Sequence, residues 1–103
     1  MQGYQKQYLK GLAHAMKPTV LIGQKGLQDA VLDAIETALN THELIKIKFI
    51  DYKEKQLKDK ISDAVAKKTG AEKVATIGHT AILYRQQKDP RKRKIQIPRR
   101  GHP

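Results

Sequence analysis

T-V-L-I-G-Q-K-G-L, residues Thr19 to Leu27, is the stretch from which the rest of the chain can be read. Val20, Leu21 and Ile22 are an apolar, partly β-branched run that suits a short buried strand, and the run breaks at Gly23. Gln24 and Lys25 then lead to Gly26, where apolar residues begin to recur at helical spacing. The stretch reads as strand, tight loop, helix start. Both glycines allow φ > 0 and a close approach of the backbone to another molecule, with no Cβ in the way. The helix that follows points its free N–H groups and the positive end of its dipole out of the same loop, beside Lys25. Such a loop suits a phosphate, and Gly23, Gln24, Lys25 and Gly26 are its candidate contacts. A G-x-x-G by itself is a weak signal. The longer phosphate-loop patterns G-x-x-x-x-G-K-[ST] and G-x-G-x-x-G do not occur, so nucleotide hydrolysis and dinucleotide binding have no motif here.

Working outward, Leu9, Leu12, Ala13 and Met16 share one face of a helix predicted over about Gln5 to Met16. Lys6, Lys10, His14 and Lys17 form a basic stripe on another side, and Pro18 closes the helix. Downstream of the loop, Leu27, Ala30, Val31, Ala34, Ile35, Ala38 and Leu39 predict a second helix reaching about Asn40. Its outer side is acidic, with Asp29, Asp33 and Glu36, so it should offer a polyanion little beyond its N-terminal tip.

L-I-K-I-K-F-I, residues 44 to 50, alternates apolar residues with Lys46 and Lys48, as a strand with one buried and one basic face does. Leu57, Ile61, Ala64 and Val65 predict a third helix ending at Gly70, with Glu54 spaced to pair with Lys58 and Asp63 with Lys67. Lys73 to Gly78 and Thr80 to Arg85 read as a hairpin turning at Gly78 and His79. The predicted order is α-β-α-β-α-β-β: an α/β domain with a single two-layer core.

With 103 residues there is room for one domain, and a net charge of +11 at pI about 10.0 points to a polyanionic partner, nucleic acid above all. The charge is concentrated. Residues 85 to 100 hold eight cations, including all five arginines, against Asp89 alone, a net of +7. The expected division is a folded unit over 1–87 and a basic tail over 88–103, with Ile95 and Ile97 spaced so as to add an edge strand. Arg85, Arg91, Lys92, Arg93 and Lys94 join the candidate contacts, as do Lys6, Lys10, Lys17 and His79.

The chain has no cysteine, and its four histidines are scattered with no i, i+4 pair, so neither a thiolate nor a metal site is expected. There is no nucleophile motif, and no enzyme activity or cofactor is expected. The N-terminus lacks the apolar core of a signal peptide and no apolar run approaches membrane-spanning length, so a cytoplasmic monomer away from membranes is expected. Tyr4, Tyr8, Phe49, Tyr52 and Tyr84 are too few for a stacking platform, so affinity should come mainly from phosphates.

Four stretches, L-K-G-L-A-H at 9–14, K-P-T-V-L-I-G-Q-K-G-L at 17–27, H-E-L-I-K-I-K at 42–48 and I-G-H-T-A-I-L-Y-R at 77–85, resemble the CRM domain in its stand-alone bacterial, YhbY-type form. The resemblance implies an RNA-binding domain built as a two-layer sandwich, with helices packed against a four-stranded mixed sheet, similar in fold to the C-terminal domain of translation initiation factor three. It also implies a G-x-x-G loop comparable to that of KH domains, and ribosomal RNA in precursors of the large (50S) subunit as partner. In KH domains that loop joins two helices, whereas here it joins a strand to a helix, so the shared mechanism is an analogy. Gln28 stands where a Ser or Thr cap is more favourable, and His79 where Lys or Arg is expected. The alternatives from charge alone are a structural basic protein of the ribosome and a general nucleic-acid-binding module.

Overall fold

The computed structural model describes residues 1–98; Arg99 and Arg100, counted with the basic tail, lie outside the described residues. Three helices and four strands follow in the expected order: α1 (Gly3–Ala13), β1 (Val20–Ile22), α2 (Asp29–His42), β2 (Leu44–Phe49), α3 (Lys55–Thr69), β3 (Glu72–Ile77) and β4 (Thr80–Tyr84). The sheet order is β1-β2-β4-β3. β1 pairs parallel with β2 across the α2 crossover, and the other pairs are antiparallel, so the sheet is mixed.

Alternation along β2 and β4 sorts side chains to two faces. Ile45, Ile47, Phe49, Ala81 and Leu83 join Val20 and Ile22 under α2 and α3, which contribute Ile35, Ala38, Leu39 and Val65. Leu44, Ile82 and Tyr84 point the other way and pack with Leu9 and Ala13 of α1. A bulge between Lys73 and Ala75 lets Val74 and Ala75 both join this second cluster. The α2–α3 side is the expected two-layer sandwich. On the opposite face, α1 adds a partial third layer that stops short of Leu21, which is 58 % exposed on edge strand β1.

Several local expectations change. α1 ends at Ala13, and Leu12 is 42 % exposed although it shares the helical spacing of the buried residues. In α3 the inward stripe is Lys58, Ser62, Val65 and Thr69, whereas Leu57 faces out. The stripe is tolerated because its polar groups are bonded: Ser62 Oγ donates to the Lys58 carbonyl (2.7 Å) and Thr69 Oγ1 to that of Val65 (2.8 Å). Among the described residues, neither pairing read from helical spacing forms. Asp63 meets Lys73 at 2.7 Å, and Glu54 is the N-terminal flanking residue of α3. Gly70 does end that helix in the left-handed conformation, φ 73°.

Ile95 and Ile97 form no strand. They lie in irregular backbone, partly buried against the α1-side cluster. The chain after Tyr84 is tied down by Glu43, which is 1 % exposed and sits at φ 63°, ψ −49°. Its carboxylate accepts from the backbone N–H groups of Gln87 (2.8 Å), Lys94 (2.6 Å) and Ile95 (3.1 Å), and its carbonyl accepts from Arg85 N–H (2.9 Å). Packing therefore continues beyond the point where composition changes.

Candidate nucleic-acid interface

β1 and β2 run parallel and finish together, with Ile22 beside Phe49, so the loop of residues 23–28 emerges at one end of the sheet. Gly26 N–H donates to the Gly23 carbonyl (3.0 Å), closing a tight turn, and Gly26 takes φ 73°. Only Gly26 uses positive φ; Gly23 does not, contrary to expectation for the pair. A Cβ placed on Gly23 would meet no atom within 4 Å. Neither backbone geometry nor internal packing calls for glycine at 23, where the residue faces solvent. Gln24 and Lys25 are exposed too.

α2 begins at Asp29, later than predicted, with Gln28 as an N-terminal flanking residue whose side chain makes no capping bond. Val31 and Leu32 donate to the Gln28 carbonyl (both 3.0 Å). Among the described residues, no backbone partner occurs for the N–H groups of Gln24, Lys25, Asp29 and Ala30. These donors and the Lys25 ammonium give the loop its positive character.

Two residues not singled out from the sequence shape this end of the molecule. Tyr52 is buried, packs edge-on against Phe49 with ring centroids 5.4 Å apart, and donates its hydroxyl to the Gly23 carbonyl at 2.8 Å. It clamps the loop from behind. A contact across 29 positions leaves no local pattern in the sequence, and Y after a turn looks like any half-buried aromatic. Tyr52→Phe keeps the ring and removes one hydrogen bond. It should lower stability by about 1 kcal/mol in urea melts and raise hydrogen exchange at the Gly26 amide.

Lys58 is the second. Its Nζ, 5 % exposed as a residue, donates to the Gly78 carbonyl (2.9 Å) and lies 3.3 Å from His79 Nδ1. An ammonium only donates, so in a hydrogen bond between the two Nδ1 is the acceptor. Because Phe49 N–H donates to the His79 carbonyl (2.8 Å), the hairpin tip lies at the same end of the sheet as the glycine loop. Of the candidate residues, the fold thus places 23–26 and His79 at one end of the sheet.

The others lie elsewhere. Lys6, Lys10 and Lys17 belong to α1 and the segment after it, with Lys10 and Lys17 exposed. Arg85 is engaged internally: its guanidinium bonds Glu36 (2.9 Å), the Thr69 carbonyl (2.7 Å) and Asn40 Oδ1 (2.8 Å). Arg91 pairs with Asp89 at 3.2 Å, and that guanidinium, followed by the Arg91 backbone N–H, holds the Asp89 carboxyl below its ordinary range. Arg93 Nε donates to the Gln87 carbonyl (2.8 Å). Burial pushes the nearby Tyr84 phenol up and the Glu43 carboxylate adds to this, while Arg93 pulls it down. Lys92 and Lys94 are exposed. Among the described residues no group of His, Asp or Glu is arranged to hold a metal ion, and no helix is long and apolar enough to cross a membrane.

A small α/β domain with a solvent-facing G-x-x-G turn between a strand and a helix defines a class that known proteins share. Residues 1–85 match the model of the CRS1/YhbY (CRM) domain, and the chain belongs to that family. A Haemophilus influenzae protein named RNA-binding protein is 47 % identical over 96 residues, covering 93 % of each chain. A Bacillus subtilis protein, provisionally named RNA-binding, is 32 % identical over 95 % of this chain and 99 % of its own. The solution structure of a Staphylococcus aureus protein, provisionally described as RNA-binding, superposes with a TM-score of 0.82 at 30 % identity, over 95 % of this chain and 99 % of the other.

Proposed function

We propose that this chain is an RNA-binding protein that grips backbone phosphate with the Gly23–Gly26 turn, and that its partner is ribosomal RNA in precursors of the large subunit, met as a cytoplasmic monomer. The observation that carries the reading is Gly23, a solvent-facing glycine that neither positive φ nor a neighbouring atom requires. A glycine there costs chain entropy, and what it provides is an outer surface bare enough for another backbone to approach. The +11 charge and the names of the relatives support RNA, and the family resemblance supports the ribosomal precursor.

Gly23→Val tests the turn without forcing a β-branched residue into the φ 73° of Gly26. The variant should melt like the parent and bind RNA at least about tenfold more weakly in a filter assay. Lys25→Ala should weaken unrelated RNA sequences about equally and lower the salt slope by roughly 0.7 to 0.9, one phosphate contact. Asp33→Ala should leave binding unchanged. Unaltered affinity in both loop variants overturns the reading. Crosslinking in cells, followed by sequencing of the attached RNA, tests the ribosomal partner, and gradient fractionation distinguishes precursors from finished subunits.

A further inference from the structure

At the other end of the sheet, past Tyr84, a groove of about 940 Å³ runs between α1 and the segment that Glu43 ties down. Its lining includes Tyr8, Gln86, Arg93, Lys94 and Gln96, and no carboxylate. Tyr8 is 42 % exposed on a helix whose buried contacts come from Leu9 and Ala13, so its ring is available at the groove.

We propose that this groove is a second RNA contact, which takes an unpaired nucleotide of single-stranded RNA by stacking its base on Tyr8 and holding its phosphate with Arg93 and Lys94. The inference rests on the RNA-binding reading above and adds a site to it. Three features favour a nucleotide. An exposed aromatic ring beside two cations supplies the two components of single-strand binding, stacking and phosphate attraction. The side-chain amides of Gln86 and Gln96 line the same groove, and each carries both donors and an acceptor for a base edge. The cations are also held in place: Arg93 Nε is bonded to the Gln87 carbonyl, and the backbone of Lys94 and Ile95 is bonded to Glu43. Cations on a fixed segment lose less freedom on binding than cations on a free tail.

A base reaches the Tyr8 face only if it is unstacked, which excludes the interior of a duplex. The groove and the glycine turn lie at opposite ends of the sheet. The six residues of β2 that separate them span about 20 Å. One RNA that fills both must therefore offer an unpaired nucleotide at a distance from the phosphate gripped by the turn.

The test uses the full chain as parent, Tyr8→Ala, Tyr8→Phe and Lys25→Ala, titrated with a short oligouridine and with a blunt-ended RNA duplex. Tyr8→Ala should weaken oligouridine at least about fivefold and leave duplex binding unchanged, and Tyr8→Phe, which keeps the ring, should match the parent. In the parent, oligouridine should shift the ring resonances of Tyr8 and the side-chain amide of Gln96. Parental affinity in Tyr8→Ala, or an equal loss on duplex, overturns the groove. So does a loss in Tyr8→Phe as large as in Tyr8→Ala. If Lys25→Ala weakens binding while Tyr8→Ala does not, the groove alone fails. If neither RNA binds the parent, the RNA reading falls with it.

Discussion

Glu43→Ala is expected to cost about 3 kcal/mol, or roughly 10–20 °C in melting temperature, a large loss for one residue in a domain of this size. The carboxylate accepts three backbone N–H groups from 44 to 52 positions downstream, and removing it strands those donors in a partly buried seam. Alanine also retains an unfavourable backbone, since φ 63°, ψ −49° is a conformation that non-glycine residues adopt at a cost of order 1–3 kcal/mol. Glu43→Gly separates the two effects. It relieves the strain while losing the same acceptors, so it should be more stable than Glu43→Ala and still below the parent. Chemical denaturation of the three proteins checks this. Equal stability of parent and Glu43→Ala would show that the Glu43 carboxylate does not hold the segment after Tyr84.

Truncation after Gln87 is the second large effect, and it acts on stability and binding together. The removed residues include Ile95 and Ile97, which cover the α1-side cluster of Leu9, Leu44, Ile82 and Tyr84, so the shortened chain should fold with a clearly lower melting temperature. From the sequence alone, every predicted core position lies before residue 88 and the shortened domain is expected to fold. The deletion takes seven cations and one acid, lowering the net charge from +11 to +5. The slope of affinity against salt should fall by about 0.7 for each phosphate of single-stranded RNA that the shortened chain no longer holds. The glycine turn stands at the far end of the sheet, so any preference for one RNA shape should persist at reduced affinity. Titrations over a range of salt, on a ribosomal RNA fragment and a random RNA of equal length, check both statements. An unchanged slope with a vanished preference would reverse the roles assigned to the turn and the basic segment.

The local periodicities of this sequence were enough to determine the order of elements and the strand–loop–helix at 19–27, because each depends on residues a few positions apart. Ile45, Ile47 and Phe49 must alternate, Ile35, Ala38 and Leu39 must share a helix face, and Gly70 must end a helix, whatever the rest of the chain does. The concentration of cations beyond Tyr84 was equally plain. Tertiary structure alone decided which charges remain available. Lys58 looks like a solvated helical lysine until β3 and β4 bring the Gly78 carbonyl over it, and Arg85 looks like the first residue of a basic tail until Glu36 and Asn40 approach from α2. The same holds for Tyr52 on Gly23 and for Glu43 under Lys94 and Ile95. Each of these contacts joins residues at least 20 positions apart, and its strength comes from burial that only the packed chain supplies. Sequence period specifies which face of an element turns inward. What that face meets is settled only when distant segments close on one another and a charge must find a partner or remain in water.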